Sequence, residues 1–254
     1  MDSSYLIPEG KRIYAIGDIH GYADELAAMH DLIRADFDSN PIDQAEIVYI
    51  GDYIDRGPKN DEVIQMLIER ELDEPDFKHV FLRGNHENAM LEFMDNPKGP
   101  RKDWLDWGGL TTIINYGVQP DMNKPLSAQA EDIAEGLREK VPNSHLEFMK
   151  NSIFTYESGG YLFVHAGIKP GIPLEKQKPS DLIMIRKGFL DYHDLHSHRI
   201  VHGHTSVKEI DVLANRINID TGLYYGRHLT AAVLEGGDLR ILTVPMLETS
   251  KRSV

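Results

Sequence analysis

The sequence predicts an α/β fold built on a mixed sheet. Three short apolar runs, residues 13–16, 47–50 and 80–82, have the length and content of buried strands. The stretches between them, 23–37 and 61–72, carry apolar residues at helical spacing. Strand, loop, helix, repeated, is the pattern of a sheet with crossover helices. Each strand runs straight into a dense polar motif, the place where such sheets collect ligands.

From residue 90 to 148 the pattern turns mainly helical, punctuated by Pro97, Pro100, Pro120, Pro125 and Pro142. This stretch is expected to form a helical insertion or cap, about 90–150, inside a single domain covering 1–254. Strand-like runs return at 153–156, 161–164, 200–202, 216–219, 229–234 and 239–244. The short loops between them point to a sheet that is antiparallel or mixed.

At 254 residues the chain is long enough to bury a substantial core. No stretch approaches the roughly eighteen apolar residues of a membrane span, and residues 1–11 lack the basic-then-apolar order of a secretion signal. The absence of cysteine removes disulfides, thiolate ligands and cysteine nucleophiles together, and fits a cytoplasmic protein. A formal net charge of -14 argues against a large nucleic-acid footprint. A site for phosphate on such a chain must supply its own positive charge, from metals and a few arginines.

Five polar motifs stand at the ends of predicted strands: Gly17-Asp18-Ile19-His20-Gly21, Gly51-Asp52-Tyr53-Ile54-Asp55-Arg56-Gly57, Gly84-Asn85-His86-Glu87, His165-Ala166-Gly167 and Gly203-His204-Thr205. Singly each is weak. A Gly-Asp pair after a strand is most often a turn, and a lone His is more often a structural hydrogen-bonder than a ligand. Five such motifs, all at strand ends and all bearing metal-type donors, point jointly to a pair of divalent metals.

Imidazole, carboxylate and carbonyl donors without thiolate suit manganese, iron or zinc, with manganese the expected ion. Asp18 and His20, two apart in an extended loop, can both turn toward one ion. Asp52 follows the neighbouring strand and has two oxygens with which to bridge. Asn85, His165 and His204 would complete the second ion. Two divalent ions outweigh the Asp18 and Asp52 carboxylates and a bridging hydroxide, so the site stays positive. Coordination also acidifies the bridging water and generates the nucleophile at neutral pH. His86 is placed to protonate the leaving oxygen, with Asp55 orienting its imidazole. Arg56 and Arg83 flank the same loops and can fork onto phosphate oxygens, a surface ion pair being an equal reading for Arg83. Asn85 is also counted among the phosphate-binding residues.

These residues resemble the calcineurin-like metallophosphoesterases, and more narrowly the bacterial type of the phosphoprotein (serine/threonine) phosphatase branch. That branch carries GDxHG, GDxxDRG, GNHE, HAG or HGG, and a late GH, in the order found here between residues 17 and 205. The resemblance implies a four-layer α/β/β/α sandwich of mixed sheets, with a dinuclear site in the cleft between strand-end loops. It implies Asp18, His20 and Asp52 on one metal, and Asp52, Asn85, His165 and His204 on the other. It further implies His86 as general acid supported by Asp55, Arg56 as a phosphate binder, and a second phosphate arginine at Arg186. Relatives often show Trp where this chain has Met184. The family ligand aligns with the His after Gly203, so His202 is not counted. His30, His79, His145 and His228, and the cluster His193, His196 and His198, read as structural or solvated.

The expected activity is metal-dependent phosphomonoester hydrolysis. A protein serine/threonine phosphatase leads, and a symmetrical diadenosine tetraphosphate hydrolase is the alternative. The expected partners are a phosphorylated protein or a small phosphorylated metabolite or nucleotide, with no nucleic acid and no membrane. A nucleotide hydrolase should offer an aromatic slot for a base, for which Trp104, Trp107 and Tyr225 are candidates, while a protein phosphatase should offer an open groove. Core packing is the competing expectation for the tryptophans, and cross-strand packing for Tyr224 and Tyr225. A scaffold without catalysis would lack a ligand or the acid, and none is missing here.

Overall fold

The structure is a computed structural model and describes residues 5–251. The first half alternates strand and helix: β1 (Lys11–Ile16), α1 (Ala23–Ser39), β2 (Gln44–Tyr49), α2 (Asn60–Asp73), β3 (Phe77–Phe81) and α3 (Asn85–Asp95). A 3-10 turn (Pro100–Asp106), α4 (Gly109–Asn115), α5 (Ala130–Lys140) and α6 (Asn143–Asn151) follow. The chain then runs through β4 (Thr155–Ser158), β5 (Tyr161–Val164), α7 (Pro179–Met184), β6 (Arg199–His202), β7 (Asp211–Val212), β8 (Arg216–Asn218), β9 (His228–Glu235), β10 (Asp238–Pro245) and α8 (Glu248–Lys251).

Two five-stranded mixed sheets result, ordered β10-β9-β1-β2-β3 and β4-β5-β6-β8-β7. Each has three parallel strands at its heart: β1, β2 and β3 in one, β5, β6 and β8 in the other. The sheets pack face to face. Ile13, Ala15, Val48, Ile50, Val80 and Leu234 from one meet Tyr161, Phe163, Val201 and Ile217 from the other in a shared core. Because a strand sends alternate side chains to opposite faces, Tyr14, Ile16, Ile47 and Tyr49 point the other way. They pack with Leu26, Met29 and Ile33 of α1 and Val63 and Leu67 of α2. Residues buried on both faces explain why these strands read as unbroken apolar runs.

The outer face of the second sheet is covered more thinly. Leu162, Val164 and Ile200 meet Leu182 of α7 with Ile168 and Phe189 from the flanking loops. The result is the expected four-layer α/β/β/α sandwich. The helical insertion shares the core of α1 and α2 through Phe93, Trp104, Ile113, Leu137 and Met149.

Three local expectations differ. The strand runs of the second half do not form one sheet, since β9 and β10 cross back to pair antiparallel beside β1. Of the expected strand 153–156, Ile153 makes only an isolated bridge to Leu82, and the regular strand begins at Thr155. The helical region begins at Asn85 rather than near Met90, so Asn85 and His86 occupy the first turn of α3. Among the described residues, no helix is long and apolar enough to cross a membrane.

Candidate metal centre

The carboxyl ends of the parallel strands converge, and each emits part of the site. Asp18 and His20 follow β1; Asp52, Asp55 and Arg56 follow β2; Asn85 and His86 follow β3; His165 follows β5 and His204 follows β6. The loops must turn sharply to aim these side chains inward. Five non-glycine residues have positive φ: His20 (51°), Asp52 (53°), Asp55 (75°), Arg56 (71°) and His204 (64°). Every one is a candidate site residue. Such backbone costs about 1–3 kcal/mol per residue and persists only where the surroundings hold it. Close approach adds a second constraint, because a Cβ at Gly84 would lie 2.1 Å from Asp52 Oδ1.

Two donor groups share Asp52. His20, Asp52 and His86 form one, and Asp52, His165 and His204 form the other, with ligand atoms in each within 4.8 Å of one another. Asn85 Oδ1 lies 3.0 Å from His165 Nε2 and 2.8 Å from His204 Nδ1. The Asp18 carboxylate lies outside both groups and accepts the His204 backbone N–H at 3.0 Å.

Donor accounting tests whether cations fit. His20 Nδ1 contacts Ile54 O at 2.9 Å and His165 Nδ1 contacts Ile50 O at 3.0 Å. A carbonyl oxygen only accepts, so both Nδ1 atoms carry the hydrogen and both Nε2 lone pairs face inward. The His165 lone pair then faces Asn85 Oδ1 and, at 3.3 Å, Asp52 Oδ1, two further acceptors. The His20 lone pair meets the Arg56 guanidinium at 3.1 Å. The His165 lone pair, converging on other acceptors, suits a cation, whereas the His20 lone pair is satisfied by the guanidinium.

The electrostatics separate the histidines. Burial pushes the imidazoles of His20, His165 and His204 down, with Arg56 adding to the effect at His20, and His204 falls to about 2. These rings are neutral, the form that binds metal. His86 moves the other way. Burial would lower it too, but Asp52 and the hydrogen bond to Asp55 raise it. Burial alone would raise Asp52, yet His165, His86, His20 and His204 hold it below the usual carboxylate range. Asp18 is pushed well up, by burial first and then by Asp220 and Asp52.

A model of the calcineurin-like phosphoesterases matches residues 11–241. The chain belongs to that family. It is accordingly a phosphoric ester hydrolase. A curated relative from Halalkalibacterium halodurans, bis(5'-nucleosyl)-tetraphosphatase PrpE (asymmetrical), is 25% identical over 241 residues, covering 91% of this chain and 92% of its own. A solved structure described as a candidate diadenosine tetraphosphatase superposes with a TM-score of 0.63 at 18% identity, covering 94% of this chain and 95% of that one. The cold-active protein-tyrosine phosphatase of a Shewanella species superposes at 0.58 and 15% identity, covering 97% and 85%. Those structures share the fold.

Not every sequence-predicted residue lies in the site of this phosphoesterase. Arg83 points elsewhere, donating to the carbonyls of Lys150 and Ser152 and lying over the Phe154 ring. Among the described residues it makes no ion pair, and its guanidinium is directed to α6. Trp104 is fully buried, so it does not cap the cleft. Trp107 is partly buried, edge-on to His86 at 5.9 Å. Tyr224 and Tyr225 sit on a 3-10 turn rather than a strand and line the open cleft with Arg56, Arg186 and Arg227. His202 is fully buried under Phe189.

Two residues of this phosphoesterase carry structural duties that no strand-end pattern announces. Glu87, fully buried, accepts backbone N–H groups from Gly84 (2.9 Å), Asp52 (3.0 Å), Tyr53 (2.7 Å) and Ile54 (3.3 Å). Burial and the nearby Asp52 push its carboxyl up to about 7. Asp220 is held by Ser206 Oγ (2.7 Å) and the Gly222 N–H (3.0 Å) while adding negative charge behind Asp18. The only signals in the sequence are the fourth letter of Gly-Asn-His-Glu and the segment Asn218-Ile-Asp-Thr-Gly.

Proposed function

We propose that this phosphoesterase is a dinuclear-metal hydrolase of dinucleoside polyphosphates that cleaves its substrate asymmetrically. One observation carries the reading. Beside the donor groups, an open cleft is lined by Arg56, Arg186, Arg227, Tyr224 and Tyr225. Among the described residues, the polar partners of the three guanidiniums are ring nitrogens and backbone carbonyls, not carboxylates. On a chain of net charge -14, three guanidiniums without acid partners suit a run of phosphates better than a single phosphoryl group. Tyr225 is 59% exposed, with Tyr224 against it at 3.9 Å between centroids, and offers a face on which a base can stack. The name of the Halalkalibacterium halodurans relative supports this reading over a protein phosphatase, and asymmetrical over symmetrical cleavage.

Asp18, His20 and Asp52 would hold one ion, and Asp52, Asn85, His165 and His204 the other, with manganese proposed from the nitrogen and oxygen donor set. When bound, the ions supply positive charge for phosphate oxygens and acidify a water. The chain's own residues do the rest. Arg56 and Arg186 fork onto phosphate oxygens and orient the phosphorus. Water oxygen bonds to phosphorus as the bridging P–O bond breaks. His86, whose Nδ1 lies 2.6 Å from Asp55, gives a proton from Nε2 to the departing oxygen once Arg56, 3.2 Å from that nitrogen in the structure, has turned onto phosphate.

The test is hydrolysis of diadenosine tetraphosphate and of a phosphoserine peptide by the manganese-loaded protein, with products resolved by anion exchange. ATP plus AMP, at a kcat/KM well above that for the peptide, is the expected result. ADP alone would establish symmetrical cleavage, and preference for the peptide would establish a protein phosphatase.

A further inference from the structure

We infer that Trp104 and Thr112, from the helical insertion, are positioning residues that fix the hydrogen-bonding state of Asp55 and so aim the His86 proton donor. The inference rests on His86 being that donor. Trp104 Nε1 donates to Asp55 Oδ2 at 2.6 Å, and an indole N–H can only donate. The Asp55 backbone N–H donates to Thr112 Oγ1 at 3.0 Å, which occupies that oxygen as an acceptor. The Thr112 hydroxyl hydrogen is therefore free to go to Asp55 Oδ1, 2.5 Å away. Both carboxylate oxygens now receive a donor, which favours Asp55 as the acceptor. His86 Nδ1, 2.6 Å from Asp55 Oδ2, then carries its hydrogen, leaving Nε2 as the ring nitrogen on the cleft side, 3.2 Å from Arg56 Nη2, which must move onto phosphate before Nε2 can donate.

All four groups are buried: Asp55, Thr112 and Trp104 fully, His86 to 2% exposure. Water cannot substitute for either donor without space being made.

The same segment grips the next residue. The Arg56 backbone N–H donates to Gly108 O at 3.1 Å, and Arg56 Nε to Trp107 O at 3.3 Å. Gly108 has φ +106°, and a Cβ there would lie 2.7 Å from Arg56 Cγ. Asp55 and Arg56, both in left-handed conformation, are thus held from outside the loop that bears them. The segment from Trp104 to Thr112 is the template that keeps this strained pair in place.

The test is the dependence of rate on the leaving group. Trp104→Phe keeps the ring and loses the donor; Thr112→Val keeps the shape and loses the hydroxyl. Each is assayed on phenyl phosphate, whose leaving oxygen needs a proton, and on 2,4-dinitrophenyl phosphate, whose leaving oxygen does not. General-acid catalysis contributes about 10²–10⁴-fold, so partial misalignment should cost about 10- to 100-fold in kcat on phenyl phosphate. The loss on the dinitrophenyl ester should be at least tenfold smaller, with ions bound per chain unchanged. Thr112→Ser, which restores the hydroxyl, should restore the ratio. Equal losses on both esters, or no loss on either, would overturn the inference. His86→Gln is the control that separates the two readings. A selective loss there without one in Trp104→Phe and Thr112→Val would refute the clamp alone, whereas a non-selective loss in His86→Gln would refute the proton donor and the clamp with it.

Discussion

Replacing Glu87 with Gln changes one oxygen to an NH₂ group and nothing in the volume. In the structure Glu87 Oε1 accepts from Tyr53 and Ile54, and Oε2 from Asp52 and Gly84. A carboxamide can keep its oxygen on one pair and must turn donors toward the other. Two buried N–H groups then lose their acceptor, and each such loss costs about 1–3 kcal/mol. The total is about 2–6 kcal/mol, or roughly 5–20 °C in Tm for a chain of this size. Function should suffer separately. With the oxygen kept on Tyr53 and Ile54, one abandoned N–H belongs to Asp52, whose φ is 53° and whose carboxylate is shared by both donor groups; with it kept on Asp52 and Gly84, the next two residues of the same loop lose theirs. Loosening a partner that orients a ligand typically lowers metal affinity about 10- to 100-fold. Thermal melting without metal measures the first effect and manganese titration by calorimetry the second. A Glu87→Gln protein with wild-type Tm and wild-type affinity would refute the claim that Glu87 holds the loop from Asp52 to Ile54.

Three further outcomes are expected. Tyr225→Ala should raise KM for diadenosine tetraphosphate about tenfold, from the lower part of the stacking range of about 1–3 kcal/mol, while steady-state assays on p-nitrophenyl phosphate change little. Arg227→Ala should raise KM for the dinucleotide more than for p-nitrophenyl phosphate, because Arg227 lines the cleft over the Tyr225 ring and, among the described residues, makes no hydrogen bond or ion pair with the histidine and aspartate donors. Asp36→Asn should lower stability at pH 7 by about 1–3 kcal/mol, since charge-assisted hydrogen bonds are the stronger kind. Its carboxylate takes hydrogen bonds from Arg240 Nη1 and Nη2 and from Tyr14 Oη (2.7 Å), and the Arg240 bonds hold it below its usual value. A depressed carboxyl stabilises above its unfolded pKa of about 3.9 and loses that contribution as pH falls through the folded value. The Tm gap between wild type and Asp36→Asn should therefore close below about pH 4 in melts across pH.

Much of the site was legible because metal chemistry restricts residue type and parallel sheets restrict place. Asp18, His20, Asp52, Asn85, His165 and His204 all follow strands whose apolar runs are evident; the strand ends bring His20, Asp52, Asn85, His165 and His204 together, while the Asp18 carboxylate lies outside both donor groups. Glu87 was legible only as a letter in a motif. Its partners Asp52 and Tyr53 are backbone groups more than thirty residues away, and a backbone N–H leaves no mark on sequence. Thr112 and Trp104 escaped for a related reason, because hydrogen bonds to Asp55 across 57 and 49 residues have no spacing to detect. The return of β9 and β10 to the first sheet is likewise silent, since strand pairing depends on which edge is open. Arg83 misled because it flanks the Gly-Asn-His-Glu motif, yet its side chain follows the chain toward α6.

The central claim is that Asp52 is shared by two ions in one phosphoesterase site, and counting ions tests it most directly. Wild type and Asp52→Asn, loaded with manganese and freed of excess by gel filtration, would be measured by elemental analysis alongside hydrolysis of p-nitrophenyl phosphate. The account predicts two ions per chain in the wild type, fewer than one in the variant, and loss of activity with the metal. An Asp52→Asn protein that is folded and keeps both ions, or a wild type that is fully active with one, would contradict it.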